Sequence, residues 1–388
     1  MRITKIERRC IAGGRSLSAG RSDDDAGSHS SSPSIRRANP KEPDEWKETT
    51  NEMRESFWLR GMGCSSLRRM TEASRKLLDE LNHWCPGVVQ QLAVPASSAR
   101  PGLAESEAYC RQLATSHYEN FPLIARLLPC ELRQPFFNVY AYCRWSDDLG
   151  DELGDRDLST RLLGWWRGEL ARCWAGEEMA HPVFVALQRS AREFDLPRQP
   201  FDDLLTAFEQ DQRVTSYNTF DELLGYCRNS ANPVGRIVLR LCRCDDERSV
   251  ELSDSVCTGL QLANFWQDVA RDADIGRTYL PLADCERFGY SRQDLAGRIT
   301  NEAFVELMRF EVERARAMLS AVRELAPRLR GRLQVVIELF GEGGLKVCDR
   351  VADVGYRVWE QRPIVTKWDA AGLLLKCLGR ALGRKVAA

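Results

Sequence analysis

Apolar residues recur at spacings of three and four through most of the chain beyond residue 104, and no segment alternates apolar with polar as a half-buried strand would. Runs such as "STRLLGWWRGELARCW", "QPFDDLLTAFEQDQ", "SVCTGLQLANFWQDVARD" and "NEAFVELMRFEVERARAMLSAVREL" put their large side chains on one stripe of a helix. Pro and Gly gather between the runs, in "LPCELRQP", "IGRTYLP" and "RFGYS", where they end helices. The pattern predicts a single all-α domain over residues 101–380, with no short repeat of the solenoid kind. Helix is expected to continue to Glu360 in "RLQVVIELFGEGGLKVCDRVADVGYRVWE", and to pass with a kink through Pro233 in "FDELLGYCRNSANPVGRIVLRLC".

The first hundred residues have another composition. "GGRSLSAGRSDDDAGSHSSSPSIRRANPKEPDEW" is rich in Ser, Gly, Pro and charge and cannot bury enough apolar surface to order itself. Residues 1–100 are therefore expected to be mostly disordered, with a short helix around "RRMTEASRKLLDELNHW", and residues 381–388 to form a frayed basic tail.

Overall charge narrows the function. With 55 basic and 56 acidic residues, the totals give no nucleic-acid footprint, so any electrostatic role is local. Fourteen cysteines without a CxxC pair, and only four histidines, argue against zinc and for buried thiols in a reducing cytoplasm. No apolar run reaches the ~18 residues of a membrane span. The phosphate loop GxxxxGK[ST], the GxGxxG turn and the GxSxG elbow are all missing, and NADPH is not expected.

The chemistry lies in two acidic segments. Projected on a helix, Gln261, Asn264, Asp268 and Asp272 fall within an arc of about 80°, beside a packing stripe of Leu262, Phe265, Trp266 and Val269. Tyr140, Arg144, Asp147 and Asp151 fall within about 60° of one another by the same projection. Like charges one turn apart destabilise a helix by a few tenths of a kcal/mol, and a solvated face would intersperse Lys or Arg. Mg²⁺ offsets that cost, because it binds through one or two carboxylates together with phosphate oxygens. Two opposed aspartate pairs suit two or three such ions around a diphosphate, with Arg144 adding a contact to phosphate oxygen.

"YAYCRWSDDLGDE" and "QLANFWQDVARDADIGRTYLP" resemble the two aspartate-rich motifs of the squalene/phytoene synthase family. "HYENFP", "YCRNSANPVG" and "VGYRVWEQRP" stand in the matching order, and the similarity spans about Ala104 to Gly379. The resemblance implies the all-helical isoprenoid synthase fold, a helical bundle around a central apolar cavity. It implies Asp147, Asp151, Asp268 and Asp272 as catalytic Mg²⁺ ligands, and a prenyl diphosphate substrate. Substrate binding would then fall to Tyr140, Arg144, Gln261, Asn264, His117, Phe121, Asn232, Arg277 and Tyr279, while Tyr356 and Arg362 are candidates for diphosphate or cavity contacts. Read from the residues alone, a single histidine such as His117 is more often structural than catalytic, and Asn232 serves equally as part of a packing kink.

Within the family the resemblance is strongest to the hydroxysqualene branch. Where phytoene and presqualene diphosphate synthases read LRDVGED, this chain has "WQDVARD", with Gln267, Ala270 and Arg271 as departures. The implied reaction converts presqualene diphosphate and water to hydroxysqualene and diphosphate, coupled functionally to a presqualene diphosphate synthase. Head-to-head condensation of two prenyl diphosphates, and a non-catalytic assembly role, are the alternatives. The tail "KWDAAGLLLKCLGRALGRKVAA" mixes Trp368 and leucines with Lys376, Arg380, Arg384 and Lys385, a pattern suited either to peripheral contact with a membrane or to packing on the domain.

Overall fold

The computed structural model describes residues 71–85, 87–88, 100–117 and 127–387, without the side chains of 117 and 382–387. The disorder expected over 1–45 lies outside this set. In chain order the helices are α1 (Glu72–Trp84), α2 (Leu103–His117), α3 (Cys130–Asp151), α4 (Arg156–Ala175), α5 (Pro182–Phe194) and α6 (Gln199–Asp211). Next come α7 (Phe220–Ser230), α8 (Asn232–Leu241), α9 (Glu247–Gln267), α10 (Val269–Asp274), α11 (Leu282–Arg287) and α12 (Arg292–Ala296). The series closes with α13 (Glu302–Leu319), α14 (Val322–Leu325), α15 (Arg332–Asp353) and α16 (Lys367–Ala387). No strand occurs among the described residues; one isolated bridge joins Ser216 and Thr278.

Helix α1 is the short helix expected ahead of the domain. Thr71 caps it by accepting the Ser74 N–H, and Leu77, Leu78 and Leu81 are buried. Its Glu80 accepts a hydrogen bond from the Tyr109 hydroxyl of α2 at 2.9 Å, so α1 packs on the helices that follow.

Two long helices organise the rest. Around α3 pack α2, α4, α5 and α6. Rings close the rear of α3: Trp145 stacks on Trp166 at 5.6 Å, and His181 meets both edge-on at 4.5 and 4.9 Å. Burial pushes the His181 pKa down to about 3, so the ring stays neutral and its Nδ1 accepts the Val183 N–H at the start of α5.

Around α9 pack α8, α13 and α15. The approach is close because glycines face it. A Cβ on Gly235 of α8 would lie 2.6 Å from Cys257 Sγ, and one on Gly259 of α9 would lie 2.9 Å from the Leu319 backbone nitrogen. Helices α6, α7 and α8 connect the two groups: α6 packs on α3, α7 and α8, and α7 on α9. The described cysteines are free thiols, and burial pushes Cys173, Cys227, Cys285 and Cys348 up to about 12, as inert packing groups.

Candidate active site

Helix α3 carries Tyr140, Arg144, Asp147 and Asp151 on successive turns, and the first three are buried. Charged groups tolerate that burial only when they answer one another. Arg144 Nε donates to Asp148 Oδ2 at 2.9 Å, its Nη2 reaches the other oxygen of the same carboxylate, and its Nη1 lies 4.0 Å from Asp147 Oδ2. Burial lowers the Arg144 pKa, but Asp148 and Asp147 outweigh it and the guanidinium is held above its ordinary value. The arginine assigned to phosphate in the sequence thus has a carboxylate partner already. Asp148 is missing from the sequence prediction, although its i,i+4 spacing from Arg144 signals the pair.

The second acidic segment departs from the single helix on which it was projected. Helix α9 ends at Gln267, Asp268 takes φ −109° and ψ 17°, and α10 starts at Val269. The Asp268 N–H still donates to the Asn264 carbonyl at 3.0 Å, and the Asp272 N–H to the Asp268 carbonyl at 2.9 Å. The one-turn spacing of the polar stripe therefore survives the break. Asp268 and Asp272 are only 6 % and 9 % exposed, beside buried Phe265, Trp266 and Val269. Gln261 is 1 % exposed, and among the described residues its side-chain amide has no hydrogen-bond partner. Leaving such an amide unanswered costs about 1–3 kcal/mol, which a polar ligand group would recover.

Arg277 joins the two segments. Its Nη2 lies 3.1 Å from Asp151 Oδ1 and 3.3 Å from the Asp211 carbonyl, and its backbone N–H donates to the Asp272 carbonyl at 2.8 Å. A residue that follows the second pair thereby neutralises a carboxylate of the first. Asp211, at the end of α6, is buried and accepts the Tyr226 hydroxyl at 3.0 Å. Nothing in the local sequence singles it out.

The third arginine arrives from the C-terminal side. Helix α15 stops at Asp353, short of the expected Glu360, and Gly355 and Tyr356 take φ values of 64° and 60°. That left-handed pair turns the chain, and the strap beyond it delivers Arg362, whose Nε donates to Asp268 Oδ1 at 2.7 Å. The strap is also fixed by Gln267, whose side-chain amide donates to the Pro363 carbonyl at 2.8 Å.

Aromatic rings wall the site on the α9 side. Tyr279 stacks on Phe265 at 3.8 Å with an interplanar angle of 6°, and Tyr217 and Tyr226 lie 5.9 and 6.1 Å from it. Phe265, Tyr279, Trp266 and Trp359 line one pocket with Asp272 and Arg277, so ring faces meet the charged edge. Asn232 stands just after the break at Ala231 between α7 and α8, and its Oδ1 accepts the Thr258 hydroxyl at 2.9 Å. It ties the kinked segment to α9. His117 ends α2, but its side chain, like the whole of Phe121, lies outside the described residues.

The donor set is made of carboxylate oxygens, the type Mg²⁺ prefers. Among the described residues no group of three or more His, Cys, Asp or Glu converges on one point. Coordination by one or two aspartates completed by phosphate oxygens fits this arrangement; an all-protein cage does not.

A family model described as squalene/phytoene synthase matches residues 114–369. Phytoene synthase of Arthrospira platensis is 31 % identical over 282 residues, 68 % of this chain and 90 % of that protein. Hydroxysqualene synthase of Rhodopseudomonas palustris is 30 % identical over 227 residues, 58 % of this chain and 76 % of its own. The crystal structure of squalene synthase HpnC from Alicyclobacillus acidocaldarius matches with TM-score 0.62 and 40 % identity, covering 66 % of this chain and 95 % of that one.

Proposed function

The chain belongs to the squalene/phytoene synthase family of prenyl-diphosphate-processing enzymes, with the all-helical isoprenoid synthase fold, and on that premise we propose that it converts presqualene diphosphate and water to hydroxysqualene and diphosphate. The observation that supports this branch is the 40 % identity to the HpnC squalene synthase over 95 % of that chain; hydroxysqualene and phytoene synthases match at 30 % and 31 % and do not separate the branches. The letters Gln267 and Arg271 in "WQDVARD" point the same way.

In this reading Asp147 and Asp151, with Asp268 and Asp272, would hold Mg²⁺ against the diphosphate. The metal supplies charge neutralisation to the leaving group. Arg277 and Arg362 already stand on carboxylates of both sets, so each can turn from its aspartate to phosphate oxygens as substrate arrives. Heterolysis of the C–O bond leaves a cyclopropylcarbinyl cation on the prenyl skeleton. Phe265 and Tyr279 offer it ring faces, worth roughly 1–2 kcal/mol when desolvated, while the apolar wall excludes bulk water. One water adds to the rearranged cation and loses a proton, which gives the alcohol.

Purified enzyme with presqualene diphosphate, Mg²⁺ and no reductant is expected to yield hydroxysqualene, and with farnesyl diphosphate alone to yield nothing. Turnover of farnesyl diphosphate without presqualene diphosphate would replace this reading by head-to-head condensation, the reaction favoured by the phytoene synthase similarity. Alanine at Asp147 or Asp268 should abolish turnover.

A further inference from the structure

Helix α16 buries Cys377 against the domain and carries its charged side chains at the flank, where Lys376 and Arg380 are half exposed and paired with α15. Lys376 Nζ lies 2.9 Å from Glu342 of α15, and Arg380 Nη1 lies 2.9 Å from Glu338 and 2.7 Å from Glu342. At the other end Asp369 receives both Arg350 contacts at 2.7 Å. Both glutamates are buried, at 5 % and 7 % exposure, so the charges of α16 are spent on the protein. Burial works to raise the Glu342 pKa, but Lys376 and Arg380 outweigh it and hold it below the ordinary carboxylate value.

The outward side is apolar. Trp368 is 88 % exposed, Leu375 71 % and Leu378 37 %, and Ile364, on the strap just before the helix, is 61 % exposed. An ordinary surface helix turns its large apolar side chains toward the core instead. Together these side chains expose on the order of 500 Å² of largely apolar surface, the size of the often functional largest patch on a monomer and short of the ~800 Å² per partner of a stable dimer.

We propose that the outer face of α16 docks on a lipid bilayer, with Trp368 and Leu375 entering the headgroup and acyl boundary. A tryptophan and leucines beside Lys367, with Arg384 and Lys385 following in sequence, match the composition of interfacial helices. The strap that carries Ile364 also carries Arg362, which holds Asp268. The apolar face and the candidate active site are thus joined by one short stretch of chain, and a prenyl substrate would be taken directly from the membrane. That last step rests on the proposed function; the docking itself does not.

The test is co-sedimentation of the full chain with phosphatidylcholine vesicles containing about one-third phosphatidylglycerol, beside sedimentation velocity without lipid. Wild type should pellet with the vesicles and sediment alone as a monomer, and binding should weaken in pure phosphatidylcholine. The double substitution W368S/L375S should keep the melting temperature and the turnover of detergent-dispersed substrate while lowering the partition coefficient about tenfold or more. Equal vesicle binding by wild type and variant would overturn the proposal. A dimer that the substitutions dissolve would assign the face to a second copy. A monomer that never binds vesicles would overturn it as well. The binding assay contains no substrate, so a failed chemical reading leaves its result intact.

Discussion

Nε of Arg362 lies 2.7 Å from Oδ1 of Asp268, across 94 residues of sequence. The contact binds the C-terminal strap to the second acidic segment and supplies a cation to a carboxylate that is 6 % exposed. Without it, Asp268 would be a nearly buried charge with one partner fewer, a state that proteins avoid.

Arg362→Leu is expected to lower kcat/KM by about tenfold or more, with the helical content unchanged. Arg362→Lys should recover only part of the loss, because an ammonium cannot reproduce the guanidinium's directed donors. Steady-state kinetics with circular dichroism checks both; unchanged kcat/KM in the leucine variant would remove Arg362 from the site.

Arg277 and Asp151 form the corresponding link between the two acidic segments, at 3.1 Å. Arg277→Gln and Asp151→Asn should each reduce turnover, and the double variant should lose markedly less than the product of the single losses. Residues that act as one unit are non-additive in this way. A double-variant cycle on kcat/KM measures it, and strict additivity would separate the two roles.

Glu311 on α13 is fully buried, and burial pushes its carboxyl up to about 8 from 4.5, with Arg314 opposing and Asp284 reinforcing the shift. The folded state then holds a proton that the unfolded chain has released. This contribution to stability is complete below pH 4.5 and is lost as pH rises through about 8. Thermal melts should fall across that window, and Glu311→Gln should flatten the fall and raise the melting temperature at pH 8 or above. An unaltered pH slope in the variant would contradict the assignment.

Gly259 is the point at which α9 meets the end of α13, and an added Cβ would lie 2.9 Å from the Leu319 nitrogen. Since that neighbour is backbone, the helices themselves must part. Gly259→Ala should destabilise the fold by about 1–3 kcal/mol, read from the denaturant midpoint. Gly343 on α15 has open space at its Cβ, so Gly343→Ala should be neutral or slightly stabilising.

Helices were legible where an apolar stripe faces the core continuously, as in α4, α6 and α13. Their ends were less so. The break at Asp268 leaves the spacing of polar residues intact, and periodicity is blind to a change of ψ that keeps the hydrogen bonds. The stop at Asp353 depends on Gly355 and Tyr356 in left-handed conformation; only the glycine is a sequence signal, and tyrosine is a poor one. The acidic pairs were readable because their spacing is local. Arg277 and Arg362 were candidates from the resemblance, but their pairing was not legible, since Arg277 reaches Asp151 and Arg362 reaches Asp268 only through the folded chain. Asp148 is legible too, since its place one turn from Arg144 is a local signal of the pair.

Turnover of presqualene diphosphate in H₂¹⁸O, followed by mass spectrometry of the product, tests the central claim most directly. Cleavage of the C–O bond with capture of the cation by water predicts hydroxysqualene that carries the heavy oxygen in full. An unlabelled alcohol, formed by cleavage at phosphorus, or a hydrocarbon product would contradict it.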